Sequence, residues 1–520
     1  MKTAPRPVRL ILASILVSFL CLCSAALAQE GGSWTPGTLP VLYLEIDGGQ
    51  AETDRMNSSE DHSYKCSGSA DLVVPEDYTP FFGGAQDTRR GMTIEAIRGR
   101  GNGTWGMAKL PYKLKFKEKQ DLFGFGANKH WILLANYFDN SMLRNWLTFT
   151  LADQLGLRYT PQGAFVDLVM NGEYLGCYYL CEQIRIGKAR VAIDELTADV
   201  DDEPGIYGGY LLRMSPDSGL PETGLIETGR GVSFRLQNPS FDPEDGGYVN
   251  EVQRNYIGSY VQRAEDAIFA RDGSWTEWID AASLVDYWWL QEFSVNDDAF
   301  STDSSYLFKP RTEPGGGEGK LHWGPFWDMD ESWGNALLET ILNKGFNNCV
   351  PEWVCELRTQ EDFLAMLIAR WPEVDARLQE ITREGGLLDL ARDVLRDAWY
   401  ADRDRWAAAR AADGTGIGRD FEQEIEHIRR WIALRREWVS GNLDRLGRIH
   451  ATITTRGEGI PTETNELYLD VNYDLYDLDI PVREGYTFKA WALEDGTVIE
   501  DGFLFLDRDV TLTAVFEKAE

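Results

Sequence analysis

Two carboxylates one residue apart, Asp328 and Asp330, close the aromatic segment FWDMD at residues 326–330. In an extended strand the side chains at i and i+2 point to the same side, so the spacing predicts that both acids share one face. Two carboxylates at such a short distance raise each other's pKa unless a cation lies between them. A hard divalent ion such as Mg²⁺, which takes oxygen ligands and serves phosphoryl transfer, is the natural partner. The alternative is a strand end whose acids face solvent, because Asp-x-Asp is a common tripeptide.

Two further segments carry residues whose types could take part in catalysis or ligand binding. An acidic cluster, Asn296-Asp297-Asp298, precedes the first segment, and the glycine-rich motif GNGTWG occupies residues 101–106. In a dinucleotide fold such a G-x-G-x-x-G motif would open a helix, but here it lies between two predicted strands and is followed by lysines. That order is closer to protein kinases, whose glycine-rich loop covers phosphates while a strand lysine pairs with them. The alternative is a glycine-rich surface hairpin.

Length and charge restrict the classes of protein and partner. The chain has 520 residues and a formal net charge of −33, so it has room for more than one core and repels nucleic acid and anionic lipid. Basic residues before position 10, an apolar run over 10–22 and a small-x-small site ending at Ala28 predict a signal peptide at 1–28. A linker rich in Gly, Ser and Pro follows at 29–38. We therefore expect a secreted or cell-surface protein without a membrane span in the mature chain.

Hydrophobic periodicity divides the rest of the chain into three parts. A sheet-rich N-terminal half contains one helix over 141–155 and a hairpin about Asn171-Gly172. A helical C-terminal half follows, and after Gly447 the composition changes to short strands and turns. We expect an α+β fold, with one large domain over 39–447 and a small all-β module over 451–520. The predicted strands are 41–46, 92–97, 112–116, 130–135, 165–170 and 174–180, and the predicted later helices are 256–270, 282–293, 361–370, 374–383, 387–398 and 420–446.

A series of motifs in one order resembles the CotH (spore coat protein H) kinase family. The motifs are RGRGN at 98–102, KLKF at 113–116, WILLAN at 131–136, DNSMLRN at 139–145, NGEYLG at 171–176, YLCEQI at 179–184, DAF at 298–300 and GPFWDMD at 324–330. The resemblance spans the domain at 39–447 and implies an atypical, distantly protein-kinase-like fold. It also implies binding of ATP with Mg²⁺ or Mn²⁺ and phosphorylation of proteins.

The resemblance assigns roles to the acidic residues of two motifs. Asp328 corresponds to the metal-binding aspartate of the family, with Asp330 beside it. Asp298 corresponds to the acid that orients the acceptor hydroxyl and is the candidate catalytic base. The adjacent Asp297 offers the same group as an alternative, and Asn296 would support either acid.

The resemblance also implies a set of nucleotide-binding residues in the N-terminal half. Lys113 or Lys115 would contact phosphate, and because the two share one strand face the sequence does not choose between them. Arg98 is a further candidate, and Glu182 is a candidate for an acid that orients the lysine. For Arg98 and Glu182 the alternative is a structural salt bridge. Turn and capping roles are assigned to Asn102, Asn136 and Asn145.

The C-terminal segment resembles the surface repeat of the Listeria–Bacteroides type, a small β-grasp-like module. The resemblance rests on GYTF at 485–488, Trp491 and VTLTA at 510–514. It implies a spacer or a contact with the cell surface, without a catalytic residue.

These observations favour one function over two alternatives. The leading hypothesis is an exported protein kinase that transfers the ATP γ-phosphate to Ser or Thr of a secreted or surface protein. The alternative is a non-catalytic cell-surface binding or scaffold protein with a kinase-like domain. The complete acidic set of Asp298, Asp328 and Asp330 favours catalysis, because a scaffold is free to lose it. A third hypothesis, a polysaccharide-active enzyme with paired carboxylates, rests only on abundant acids and tryptophans.

Overall fold

Seven strands of the N-terminal half close into a β-barrel in the computed structural model of the chain. Their order around the barrel is β1-β2-β3-β4-β5-β7-β6. Every neighbouring pair is antiparallel except β1 and β6, which pair in parallel and close the barrel. The strands are β1 (Val41–Ile46), β2 (Cys66–Val73), β3 (Arg89–Gly99), β4 (Tyr112–Gln120), β5 (Asn128–Leu134), β6 (Gly163–Met170) and β7 (Glu173–Glu182).

The structure describes most of the chain. It covers residues 34–518 apart from positions 85, 102, 215–224, 239–249, 297, 298, 300–303, 336–344, 347–351, 416, 417, 448, 457–463, 470–481 and 500–508. The predicted signal peptide and the acids Asp297 and Asp298 therefore lie outside the described residues. None of the helices in the described ranges combines the length and the apolar character needed to cross a membrane.

The sequence of the hairpin between β6 and β7 explains its turn. Asn171 and Gly172 both have positive φ, at 49° and 81°, as a two-residue turn with the twist of the flanking strands requires. The predicted hairpin is therefore confirmed. The Asn171 side chain also accepts the backbone N–H of Ile46 at 2.8 Å, which ties the turn to the end of β1.

The C-terminal half is helical, as predicted, with a second sheet beside the helices. This five-stranded sheet has the order β12-β11-β8-β10-β9. Its strands are β8 (Tyr210–Met214), β9 (Leu225–Glu227), β10 (Ser233–Asn238), β11 (Tyr306–Lys309) and β12 (His322–Trp323). The described helices are α1 (Gln50–Asn57), α2 (Arg144–Leu155), α3 (Glu251–Ala270), α4 (Ala281–Ser294), α5 (Glu352–Leu357), α6 (Glu361–Thr382), α7 (Leu387–Asp413) and α8 (Phe421–Ser440).

Two helix predictions are corrected by the structure. The two helices predicted at 361–370 and 374–383 are one helix, α6, which continues through Pro372. The helix predicted at 387–398 continues to Asp413, and polar contacts hold the added turns to β7. Arg405 Nε donates to the Tyr174 carbonyl oxygen at 2.9 Å, and Trp406 Nε1 donates to the Leu175 carbonyl oxygen at 3.0 Å.

Helix α7 is fixed to the barrel by a buried ion pair. The Lys109 ammonium donates to the Asp402 carboxylate and to the Cys177 carbonyl oxygen, and both charged side chains are almost completely buried. Asp402 also accepts the backbone N–H of Cys177 at 2.9 Å. Because a buried charge is costly unless it is paired and hydrogen-bonded, this contact holds α7 in one position on β7.

The last sheet has a hydrophobic cluster of its own. Its five strands follow the order β14-β13-β17-β15-β16, with β13 and β17 in parallel. Trp491, Leu512 and Phe516 are buried in this cluster. The strands are β13 (Ile449–Arg456), β14 (Thr464–Leu469), β15 (Tyr486–Leu493), β16 (Val498–Ile499) and β17 (Val510–Lys518). The whole chain thus has the mixed α+β composition expected from its sequence.

Candidate functional site

Asp328 and Asp330 lie on an irregular loop after β12, and the prediction of an extended strand is wrong. Asp328 has φ 61°, in the left-handed region, so alternation along a strand does not apply there. The backbone of the loop bonds to the surrounding helices instead of to a strand. Met329 donates its N–H to Asn145 Oδ1 at 2.9 Å, and Trp333 donates its N–H to the Ser294 carbonyl oxygen at 2.8 Å.

The two carboxylates are nevertheless close enough to act on each other. Burial, followed by the charge of Asp328, raises the pKa of Asp330 well above its usual range. Ser304 Oγ donates to Asp328 Oδ2 at 3.1 Å. Among the described residues, neither carboxylate has a cationic side chain as an ion-pair partner. The loop therefore gathers negative charge that a bound cation would neutralise.

This donor set fits a divalent cation bound together with a phosphate. Within the described ranges, no group of three or more His, Cys, Asp or Glu side chains is placed to hold a metal by itself. Mg²⁺ ordinarily takes only one or two carboxylates and fills its octahedron with substrate phosphates and water. Two oxygen-donor acids without a partner cation meet that requirement.

Helix α2 and the segment before it hold the acidic loop. Asp139 and Arg144 form a completely buried ion pair. The Arg144 guanidinium also donates from Nε to the Ser332 carbonyl oxygen at 2.9 Å. Trp333 Nε1 donates to Thr148 Oγ1 at 2.8 Å. The predicted turn or capping role of Asn145 is therefore wrong, since its side chain and those of its helix position the loop.

The end of α4 also contacts this loop. Asn296 is buried, and its Nδ2 donates to Gln291 Oε1 at 3.0 Å and lies 3.3 Å from Met329 Sδ. Asn296 directly precedes the acids at 297 and 298 in sequence. The chain thus enters the predicted catalytic segment at a point of contact with the Asp328 loop.

Arg100 is a site residue that motif spacing did not single out. Its guanidinium lies 5.3 Å from the centroid of the Trp327 ring, and Trp327 stacks on Phe149 at 6.2 Å. Arg100 is half-buried, and among the described residues its guanidinium has no ion-pair partner. A half-buried guanidinium that pairs with no carboxylate among the described residues, and that contacts the loop carrying Asp328, is suited to a phosphate ligand. The sequence feature that indicates Arg100 is the motif RGRGN at 98–102, which contains a second arginine beside Arg98.

The structure separates the basic residues predicted for nucleotide binding. Arg98 donates to the carbonyl oxygens of His62 and Gly99, both at 3.3 Å. Lys115 forms an ion pair with Glu95 at 2.6 Å, and both side chains are exposed. Lys113 lies directly opposite Arg98 on β3.

Lys113 is the lysine nearer to Arg100. It pairs in register with Ile132 of β5, which in turn pairs with Cys181 of β7. Burial raises the pKa of the Cys181 thiol, and the charge of Arg100 opposes that rise. Lys113 therefore lies in the same cross-strand row as Cys181, the residue whose pKa is affected by the charge of Arg100.

Glu182 forms a salt bridge with an arginine of its own. It pairs with Arg190, whose guanidinium lies 4.7 Å from the centroid of the Trp131 ring. Glu182 Oε2 also accepts the backbone N–H of Gln162 at 3.1 Å. Burial raises the pKa of Glu182 to about 7. The structure thus shows the structural alternative that the sequence left open for this residue.

The glycine-rich segment is folded against the turn that follows α1. Residues Gly103–Gly106 form a 3-10 turn, and Trp105 Nε1 donates to the Ser59 carbonyl oxygen at 3.2 Å. A Cβ on Gly99 would come within 2.0 Å of the Trp105 ring, so only glycine lets that ring close over the strand end. The tryptophan therefore anchors the segment that carries Arg100.

Comparison with known proteins identifies the family. The family model described as CotH kinase protein matches residues 97–439, which is more than half of the chain. The chain therefore belongs to the CotH kinase family, and this membership indicates a kinase-like function with use of ATP and a divalent metal. No curated protein matches the chain.

Proposed function

We propose that this chain is an exported atypical protein kinase that transfers the ATP γ-phosphate to Ser or Thr of a secreted or surface protein. The observation that carries the proposal is the pair Asp328 and Asp330, two neighbouring carboxylates without a partner cation among the described residues. They lie on a loop that buried side chains of α2 hold in place, next to the Arg100 guanidinium. Acids and a cation placed together in this way match the needs of a metal-bound triphosphate.

Each residue then has a chemical role. Asp328, with Asp330 beside it, would hold Mg²⁺ or Mn²⁺, which neutralises charge on the transferred phosphoryl group. Lys113 would contact phosphate rather than Lys115, because Lys113 lies closer to Arg100 along the paired strands: it pairs with Arg98, whereas Lys115 pairs with Ala96. Asp298 would accept the proton of the acceptor hydroxyl, a step that general bases accelerate by about 10² to 10⁴.

The arrangement of these groups supports a distant likeness to protein kinases. The basic residues come from the barrel strands β3 and β4, whereas the acids come from the loop after β12. Contributing phosphate-binding cations and metal-binding acids from separate halves is also how protein kinases build their site. The closed barrel is a departure from that plan.

Export and surface contact complete the proposal. The basic, apolar and small-residue order at 1–28 is typical of a secretory signal. The sheet after residue 448 buries its own cluster about Trp491, which supports a separate module of the surface-repeat type. Such a module would act as a spacer or a contact with the cell surface, and the physiological substrate would be met there.

Phosphate transfer by the purified chain tests the proposal. Wild type, Asp328→Asn, Asp298→Asn and the control Asp153→Asn, an exposed acid of α2, are compared. Asp328→Asn should lose Mg²⁺-dependent nucleotide binding and transfer. Asp298→Asn should keep nucleotide binding and slow transfer by about 10² to 10⁴.

The outcome also separates the two candidate functions. Equal labelling by wild type and Asp328→Asn would overturn the metal role of that aspartate. Metal-dependent nucleotide binding by wild type without transfer to any protein would favour the non-catalytic scaffold.

A further inference from the structure

Strand β4 carries a row of four lysines at alternate positions of its sequence. Leu114 and Phe116 are completely buried, so Lys113 and Lys115 lie on the side away from that core. The exposed end of the strand holds Lys117 and Lys119, and its pairing with β5 shifts register there. The row, called the lysine stripe below, consists of Lys113, Lys115, Lys117 and Lys119.

Neighbouring strands add positive charge to the lysine stripe. His130 pairs in register with Lys115, and the Arg185 guanidinium contacts the His130 ring. Burial, together with the charges of Arg185, Lys113, Lys115 and Lys129, lowers the pKa of His130 to about 3. The imidazole is therefore neutral at physiological pH, because it is buried and has cations around it.

Two acids partly offset this charge. Glu95 bonds to Lys115, and its pKa is lowered by that hydrogen bond and by the charges of Lys115, Lys129 and Lys117. Glu118 lies on β4 between Lys117 and Lys119 and is exposed. The lysines outnumber these two acids on a chain whose net charge is −33. The positive charge on this surface is local and contrasts with the whole molecule.

The inner end of the lysine stripe reaches the candidate site. Lys113 lies opposite Arg98, which is two residues before Arg100, and Arg100 lies over Trp327 beside Asp328. The outer end, at Lys117 and Lys119, is exposed. A chain segment lying along the stripe would therefore lead into the site.

We propose that the lysine stripe binds an extended, acidic segment of the protein substrate. This segment would adjoin, in the substrate's sequence, the Ser or Thr that receives phosphate. This inference rests on the proposed kinase function and names its substrate class. Acidic side chains match the positive charge that Lys115, Lys117 and Lys129 place around Glu95. A long polyanion is disfavoured, because the parts of it that extend past the lysine stripe lie close to the surface of a chain whose net charge is −33.

Peptide binding tests the proposal without requiring catalysis. The probe is a labelled peptide with one serine followed by glutamates at alternate positions, and its partner peptide has glutamines instead. The test variant combines Lys117→Glu, Lys119→Glu and Lys129→Glu. The matched control makes the same charge change on the helical half with Arg377→Glu, Arg383→Glu and Arg430→Glu, of which the last two are exposed and the first is half-buried. If that test variant does not fold, the milder combination of Lys117→Gln, Lys119→Gln and Lys129→Gln replaces it.

The expected result is selective loss of affinity. Fluorescence anisotropy at physiological salt should show the glutamate peptide bound more tightly than the glutamine peptide. The stripe variant should bind it roughly tenfold more weakly, since several surface charge pairs are reversed, while the helical control stays within about twofold.

Contrary outcomes are equally specific. Equal binding of both peptides, or an equal loss in both charge variants, would overturn the docking proposal. Tighter binding of phosphatidylserine vesicles or of an oligonucleotide than of the peptide would also overturn it. Selective peptide binding without any phosphate transfer would leave the docking surface standing and contradict the kinase proposal instead.

Discussion

Asn145 Oδ1 accepts the backbone N–H of Met329 at 2.9 Å across 184 residues of sequence. The bond places a side chain of α2 directly between the positions of Asp328 and Asp330. Both partners are buried, so the amide N–H of Met329 depends on this acceptor. The N-terminal half of the chain therefore helps to set the geometry of the acidic loop, together with the end of α4.

Asn145→Leu should loosen the acidic loop. A buried N–H without an acceptor costs about 1–3 kcal/mol, so the free energy of unfolding should fall by that amount. Mg²⁺-dependent nucleotide affinity should fall as well, because the carboxylates lose their fixed position. Gln154→Leu, a similar change later in the same helix, is the control for chemical denaturation and nucleotide titration. Wild-type nucleotide affinity in Asn145→Leu would show that the loop needs no support from α2.

Arg100→Ala should impair phosphate handling more than protein stability. The guanidinium has no ion-pair partner among the described residues, so its removal leaves no buried carboxylate unpaired. We expect kcat/KM to fall about tenfold or more, the usual scale for losing a charge-assisted contact of 1.5–3 kcal/mol. Arg100→Lys should recover only part, because an ammonium cannot reproduce the planar fork.

The control for this prediction lies on β3, the strand that directly precedes Arg100. Arg90→Ala removes an exposed arginine that pairs with Asp71 and should leave kinetics unchanged. Steady-state kinetics of all three variants separate KM from kcat. An Arg100→Ala enzyme as active as Arg90→Ala would remove Arg100 from the site.

Some of this architecture follows from local sequence, and some does not. The hairpin at Asn171-Gly172 and the shared face of Lys113 and Lys115 on β4 follow from turn chemistry and strand alternation. Barrel closure does not, because β1 and β6 are far apart in sequence and their parallel pairing has no local signal. The left-handed backbone of Asp328 is likewise imposed by partners in α2 and α4, so spacing alone misplaced it in a strand.

Asp167 should make stability depend on pH. Burial raises its pKa to about 7, the hydrogen bond from Tyr174 opposes that rise, and the charge of Asp402 adds to it. The folded protein then holds a proton that the unfolded chain releases near pH 4. Stability from this group is present below that pH and is lost as pH rises through about 7.

Asp167→Asn keeps the acceptor for Tyr174 and removes the titration. The variant should match wild type near pH 4 and exceed it at pH 8, by at most about 4 kcal/mol at 1.36 kcal/mol per pKa unit. Asp272→Asn gives a control of opposite sign, since a hydrogen bond from Ser274 lowers the pKa of Asp272. Urea denaturation across the pH range measures all three. A constant difference between Asp167→Asn and wild type would contradict the prediction.

The sheet after residue 448 should fold without the kinase-like domain. Trp491 is 7% exposed and packs with Phe488, Leu512 and Phe516 in a cluster separate from the main core. Trp491→Ala should therefore unfold this sheet, since truncating a buried tryptophan costs about 3–5 kcal/mol, while the main thermal transition keeps its midpoint. A chain ending at residue 447 should bind nucleotide with wild-type affinity. If Trp491→Ala instead lowers the main transition, or the shortened chain folds but no longer binds nucleotide, the sheet is part of the larger domain and the boundary is wrong.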